Sequence, residues 1–190
     1  MKVVIDGNIG SGKTTQLELL QNQGYTIKKE PLEKWPLDLY YSDPKRWGFL
    51  FQIMILQTLQ PVESSDIVIY ERSPLSSRHV FWEVMEKTEL EDETYKKQYE
   101  LQMWEPDTYI FINKSPELCF EHIQNRVQEG DTKVQLEYLK LLHDRYLEMF
   151  DKHIKCERKF IVDGNQPVEE VNKIILNLLT KGNERVSNLS

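Results

Sequence analysis

The chain has 190 residues, a length typical of one domain and enough to bury a sizeable core without disulfides. Lys plus Arg is 24 and Asp plus Glu is 31, so the net charge of −7 argues against a nucleic-acid backbone or an anionic membrane as partner. Apolar content of 39% excludes global disorder, and two cysteines, Cys119 and Cys156, are too few for a disulfide scaffold or a four-ligand zinc site.

The first strand is expected at Val3–Asp6, short and β-branched. Further strands are expected at Tyr25–Lys29, Ile67–Tyr70, Tyr109–Ile112 and Phe160–Val162. Their apolar runs are continuous, which suits a parallel sheet covered on both faces. Helices fill the gaps. The first runs from Lys13 to about Gln21. Asp43-Pro44 is a cap followed by a first-turn proline, and the helix it starts runs to about Gln60 before Pro61. Others cover roughly Leu75–Lys87, Glu91–Met103, Ser115 to Gln128, Gln135–His153 and Val168–Thr180. Alternation of strand and helix predicts an α/β doubly wound fold with five parallel strands. Gln128–Lys133 (QEGDTK) is rich in breakers and predicts a mobile lid loop. Residues 1–181 are expected to form a single domain, with 182–190 a frayed tail. No apolar run approaches the ~20 residues needed to span a bilayer. A phosphate motif starts at Gly7 and leaves no room for a leader, so a cytoplasmic location with reduced thiols is expected.

Gly7-Asn8-Ile9-Gly10-Ser11-Gly12-Lys13-Thr14, followed by Thr15, matches G-x-x-x-x-G-K-[ST] with a strand before and a helix after. The glycines let backbone N–H groups point inward around phosphate oxygens, and the helix N-terminus adds partial positive charge. Lys13 is expected on the β- and γ-phosphates and the Thr14 hydroxyl on magnesium. ATP and Mg2+ are the implied cofactors.

Three strand ends then converge. Ligands of open α/β sheets bind beyond the carboxyl ends of the strands. The phosphate loop, Glu30-Pro31 and Glu71-Arg72-Ser73 each follow a strand, so parallel pairing puts them on one rim. Glu30, held extended by the following proline, is a candidate proton acceptor for an attacking hydroxyl, or else a solvated acid beside Lys28 and Lys29. Glu71 is an oxygen partner for magnesium, and Arg72 is placed to steady a transferring phosphoryl group; the plainer alternative is a surface ion pair.

With these residues in order, the chain resembles the deoxynucleoside kinase family, which includes deoxycytidine, deoxyguanosine and type I thymidine kinases. The resemblance rests on GNIGSGKTT, EPLEKW at Glu30–Trp35, YYSDPKRWGFLFQ at Tyr40–Gln52, ERSPLSSR at Glu71–Arg78, the Ser115-Pro116-Glu117 start and EYLKLLHDRY at Glu137–Tyr146. It implies ATP-dependent phosphorylation of a deoxynucleoside 5′-hydroxyl for nucleotide salvage. Glu30 is then the general base, Trp35 a pocket wall, Tyr41 the partner of the sugar 3′-hydroxyl and Gln52 the amide that reads the base. Glu71 is linked to magnesium, Arg72 contacts the 5′-oxygen, and Asp131 sits where relatives reach the 3′-hydroxyl with a glutamate. Ile55 joins the pocket lining. Leu59 and Ser77 stand where relatives that prefer deoxycytidine or purines carry an arginine–aspartate pair, which implies an uncharged pyrimidine pocket with room for a thymine methyl. An amide offers donor and acceptor side by side, and by turning over could suit thymine or cytosine.

The lid departs from the family pattern. Gln124-Asn125-Arg126-Val127-Gln128 keeps one arginine, Arg126, where relatives carry several. One alternative is a thymidylate-type nucleoside monophosphate kinase, whose anionic acceptor needs arginines; Arg46, Arg72 and Arg78 are the candidates, and Lys29 precedes Glu-Pro where an arginine is expected. A second is a phosphate-loop switch protein. Trp47 is expected as core filling. The resemblance implies a homodimer, weakly supported by Val80, Phe81, Val84, Tyr95 and Tyr99, which could equally face the core.

Overall fold

The five apolar runs become five parallel strands of one sheet in a computed structural model that describes residues 1–125 and 134–187, with side chains to residue 180. The strands are β1 (Lys2–Gly7), β2 (Thr26–Lys28), β3 (Val68–Glu71), β4 (Thr108–Asn113) and β5 (Arg158–Asp163), in the order β2-β3-β1-β4-β5. Val3 of β1 pairs with Ile69 and Thr108, and Ile5 pairs with Glu71 and Ile110. The connections are α1 (Lys13–Asn22), α2 (Leu37–Ser42), α3 (Pro44–Thr58), α4 (Pro74–Ser76), α5 (Glu89–Gln102), α6 (Pro116–Asn125), α7 (Leu136–Lys152) and α8 (Val168–Ser187).

Side chains alternate across each strand, so the sheet carries two cores. Val3, Ile5, Ile69 and Ile110 pack under Leu17 and Leu20 of α1 and Val171 and Ile175 of α8. Val4, Tyr70, Tyr109 and Phe111 face the other way, against Leu75, Val80, Leu142 and Tyr146. The expected P-loop kinase architecture, a five-stranded parallel sheet flanked by helices, is the observed one.

Several element boundaries differ from expectation. The helix expected over 75–87 stops early. α4 runs into a π-helical turn, Ser77–Phe81, in which Trp82 N–H bonds Ser77 O at 2.9 Å. Lys87 Nζ then donates to the carbonyl oxygens of Trp82 (2.8 Å) and Met85 (3.2 Å), drawing the chain out of the helix. Thr88 and Glu91 form a capping box that begins α5 two residues before the expected start. Leu37–Ser42, not expected as helix, forms α2. Asp43 caps α3 as expected, its Oδ1 accepting from Arg46 N at 3.2 Å. α8 continues to Ser187, because one glycine inside a helix costs only about 1 kcal/mol and Gly182 does not force a stop.

One side-chain expectation also changes. Trp47 is half-buried under the Arg46 guanidinium, 4.9 Å from its ring centre, and is not core filling. Val80 and Tyr95 are fully buried, and Phe81, Val84 and Tyr99 are partly buried and pack against the same cores. Among the described residues no helix is long and apolar enough to cross a membrane.

The π turn stacks His79 on His153, ring centres 3.9 Å apart. Burial, then His153 and Arg78, pulls the His79 pKa from 6.5 to about 4, against the raising influence of Glu83. The folded state therefore refuses a proton that the unfolded chain accepts below 6.5. Stability from this group is intact above pH 6.5 and is lost as pH falls toward 4. Thermal unfolding of wild type and His79→Phe across that window should show wild type losing ground to the variant as pH drops; a constant difference in Tm would contradict it.

Candidate active site

The loop between β1 and α1 wraps tightly because two of its glycines take left-handed backbone angles, Gly10 at φ +78° and Gly12 at φ +92°. Lys13 Nζ folds back across the loop and donates to Gly7 O (3.0 Å) and Asn8 O (2.8 Å). Asn8 Nδ2 donates to Leu139 O of α7 at 2.8 Å, and its Oδ1 accepts from Ile9 N at 2.9 Å. Ser11 Oγ is buried without a hydrogen-bond partner among the described residues. Burial, aided by Arg72, draws the Lys13 ammonium down to about 8, which a phosphate in the loop would reverse. This buried cation and the inward backbone amides fit a polyphosphate.

Beside the loop, the ends of β2 and β3 bring the acidic rim together as the strand order requires. Thr14 Oγ1 donates to Glu71 Oε1 at 2.9 Å, and Glu30 N lies 3.4 Å from Glu71 Oε2. Arg72 Nη1 donates to Glu30 Oε1 at 3.0 Å, with both side chains almost excluded from water, at 12% and 9% exposure. Arg72 adopts φ +62°, a conformation that costs a non-glycine residue about 1 kcal/mol or more. Phe81 lies under its guanidinium, 4.6 Å away. Burial raises the Glu30 carboxyl above 4.5, Arg72 opposes that rise, and Glu71 adds to it. Glu30 is thus a buried carboxylate beside a fixed cation, a group able to take a proton from a neighbouring hydroxyl.

Asp6 anchors this rim, and the sequence reading missed it. It is fully buried at the end of β1, accepts from Tyr109 OH (3.0 Å), Tyr146 OH (2.9 Å) and Gly7 N (2.8 Å), and lies 3.7 Å from Arg72 Nε. The available signal was an acid inside an apolar strand, which requires buried partners.

A cavity of about 840 Å³ extends from the loop past Glu30 and Arg72 to Gln52. That volume is in the range of small-molecule sites. Ile9, Gly10, Gly12, Lys13, Thr14 and Thr15 line its phosphate end, while Gly7, Asn8 and Ser11 shape the loop from behind. Trp35, Tyr41, Gln52, Ile55, Leu59 and Ser77 all line the cavity, reaching it from separate segments. Trp35 is held by its indole N–H on Thr58 Oγ1 (2.9 Å) and meets Phe51 edge-on. Tyr40, stacked on Phe51 at 4.4 Å, and Tyr138 also line the wall; neither was singled out, although both lie inside quoted motifs. Arg126, Asp131 and the expected lid lie outside the described residues.

Thr14 and Glu71 offer two hard oxygen donors next to the phosphate loop. Among the described residues no three carboxylate, thiolate or imidazole groups cluster for a metal. Two oxygens still fit magnesium, which commonly keeps waters and takes further ligands from phosphates. Of the site arginines expected for a phosphorylated acceptor, Arg46 covers Trp47 and Arg78 pairs with Glu83; Arg72 alone lines the cavity among the described residues.

Gly10 is the position least able to change. A Cβ there would lie 2.5 Å from Cys119 O and 2.9 Å from Ile123 Cγ1 of α6. Gly10→Ala should push α6 away from the loop, lowering Tm and weakening ATP binding at least tenfold, a loss of about 1.4 kcal/mol, in a nucleotide titration. Unchanged affinity would contradict the tight approach.

Comparison with known proteins agrees with this geometry. A family model described as deoxynucleoside kinase matches residues 3–186. The chain is 30% identical over 189 residues to a probable deoxycytidine kinase of Fowlpox virus, covering 90% of this chain and 78% of that one. It is 31% identical over 188 residues to mitochondrial deoxyguanosine kinase of Xenopus laevis, covering 76% and 71%. Among solved structures, a deoxyadenosine kinase from M. mycoides with bound dATP superposes with a TM-score of 0.82 at 26% identity, over 95% of this chain and all of that one. With the family model spanning nearly the whole chain and these relatives covered over most of their length, the chain belongs to the deoxynucleoside kinase family.

Proposed function

We propose that this kinase transfers the γ-phosphoryl group of ATP to the 5′-hydroxyl of a pyrimidine deoxynucleoside, thymidine first and deoxycytidine second. The observation that carries this reading is the Glu30–Arg72 pair at 3.0 Å on the cavity wall. A neutral hydroxyl must lose its proton as it attacks phosphorus, and Glu30 is a buried acceptor for it. Arg72 favours the ionised form of Glu30 against the effect of burial and lends positive charge to the attacking and transferring oxygens. Lys13 and the loop amides hold the β- and γ-phosphates. Thr14 and Glu71 would hold Mg2+, which when bound neutralises charge on the transferring group.

The nucleoside lies between Trp35, Tyr41 and Gln52 in this reading. Tyr41 and Asp131 hold the 3′-hydroxyl, and packing against Tyr41 disfavours a ribose 2′-hydroxyl. Ile55 and Leu59 leave the base end apolar, which suits a thymine methyl. Burying that methyl is worth about 1 kcal/mol, so it supplies tenfold discrimination or less. The named relatives act on both purines and pyrimidines, so the base preference rests on this pocket and not on kinship. A thymidylate-type acceptor is disfavoured because a phosphomonoester would meet the Glu30 and Glu71 carboxylates with Arg72 already committed.

ADP production with thymidine, deoxycytidine, deoxyadenosine, deoxyguanosine, uridine and thymidine monophosphate as acceptors tests the assignment. Thymidine should give the highest kcat/KM; a purine deoxynucleoside or the monophosphate ranking first would overturn it. Glu30→Gln should lower kcat by about 10²–10⁴-fold and leave ATP binding in place. Unchanged turnover would mean that another group takes the proton. A homodimer is also expected, its face built from residues outside the core, such as Leu90 and Leu101 on α5, which are 74% and 79% exposed. Light scattering that returned the mass of one chain would exclude it.

A further inference from the structure

The side-chain amide of Gln52 is nearly symmetric in shape but not in polarity. Thymine presents a C4 carbonyl acceptor beside an N3–H donor, and cytosine presents a C4 amino donor beside an N3 acceptor. An amide that turns over freely serves both; an amide held one way serves one better. The sequence alone left that choice open.

Two buried hydroxyls decide it. Ser77 Oγ, in the π turn after α4, lies 3.0 Å from Gln52 Oε1 and 2.8 Å from Tyr95 OH on α5. Gln52, Ser77 and Tyr95 are exposed by 3%, 2% and 0%. Among the described residues the Tyr95 hydroxyl has no hydrogen-bond partner besides Ser77 Oγ. Burial keeps the phenol protonated, so its hydrogen must go to Ser77 Oγ. The Ser77 hydrogen is thereby turned toward Gln52, where it needs an acceptor. Oε1 satisfies it; Nε2 in that place would set donor against donor. The Tyr95 ring cannot swing away, since it stacks on Trp82 at 4.1 Å, and Trp82 is tied by its indole N–H to Asp92 Oδ1 at 2.8 Å. Gln52 lines the cavity, and its Nε2 makes no hydrogen bond to a described residue.

We propose that Tyr95 and Ser77 form a polarity lock on Gln52, two positioning residues that fix the order in which its acceptor and donor meet the base and so set the discrimination between thymine and cytosine. This rests on Gln52 being the base reader. With the lock in place, the wrong pyrimidine meets like against like at two adjacent atoms, a mismatch worth about tenfold to a hundredfold. That exceeds what a methyl pocket alone supplies.

The test is the ratio of kcat/KM for thymidine and deoxycytidine in wild type, Tyr95→Phe, Ser77→Ala and Gln52→Leu, with Tm measured alongside. Wild type should favour one pyrimidine by more than about tenfold. Tyr95→Phe should bring the ratio at least fivefold nearer to unity, mainly by improving the disfavoured pyrimidine, because Ser77 regains freedom to accept from Nε2. Ser77→Ala, a smaller change, should act in the same direction and covers the case in which Tyr95→Phe fails to fold. A purely structural role would lower both substrates alike and leave the ratio in place. Near-equal use of both pyrimidines by wild type overturns the lock. So does an unchanged ratio in Tyr95→Phe and Ser77→Ala while Gln52→Leu abolishes discrimination, in which case base reading by Gln52 stands. A ratio unchanged in Gln52→Leu defeats the base-reading role and the lock together.

Discussion

The candidate active site hangs on one buried arginine. Arg72 leaves the end of β3 with a left-handed backbone, a conformation it would not keep without strong anchors. Asp6 on one side and Glu30 on the other supply them, 3.7 Å and 3.0 Å away. Two charges taken out of water seldom gain net stability over an apolar pair of the same size. What the chain Asp6–Arg72–Glu30 does is tie the carboxyl ends of β1, β2 and β3 into one rigid rim, with a cation held between two carboxylates.

The strand order makes that possible. β3 lies between β2 and β1, so the acid after β2, the acid and arginine after β3 and the phosphate loop after β1 are lateral neighbours. Parallel pairing puts all of them at the same edge. Any antiparallel member would send its terminal residues to the far side of the sheet. Tyr109 and Tyr146 then close the site from below, donating to the carboxylate of Asp6 so that its lone pairs are met without solvent. The geometry of the rim thus depends on hydrogen bonds in the floor of the core.

The other end of the cavity follows a different logic. Charge is kept away from it, and orientation comes from neutral dipoles. α3 carries Gln52, the turn after α4 carries Ser77, and α5 carries Tyr95, so three elements meet at one amide. The π turn matters here, since it widens the helix where Ser77 must face inward. A regular helix across Leu75–Lys87 would have rotated the later residues relative to Ser77 by a different amount.

Much of this was readable because it is local. The phosphate loop needs glycines at fixed spacing and a lysine directly after the last of them, and the helix starts at Pro44 and Pro116 need a capping residue next to a proline; such demands are met within a few neighbours in the chain. Short continuous apolar runs imply a sheet buried on both faces, and order along the chain then places Glu30 and Glu71 on one rim. The sequence also named Gln52 and Ser77 as pocket residues. It could not show that they bond to each other, nor that Tyr95 sets the polarity of both, because hydrogen-bond direction depends on which partners a fold leaves within 3 Å. Asp6 reaches Tyr109 and Tyr146 across 103 and 140 residues, a distance over which no periodicity carries information. Trp47 went to a half-exposed site under Arg46 for the same reason: which face of α3 is covered is decided by the elements packed on it, not by α3 itself.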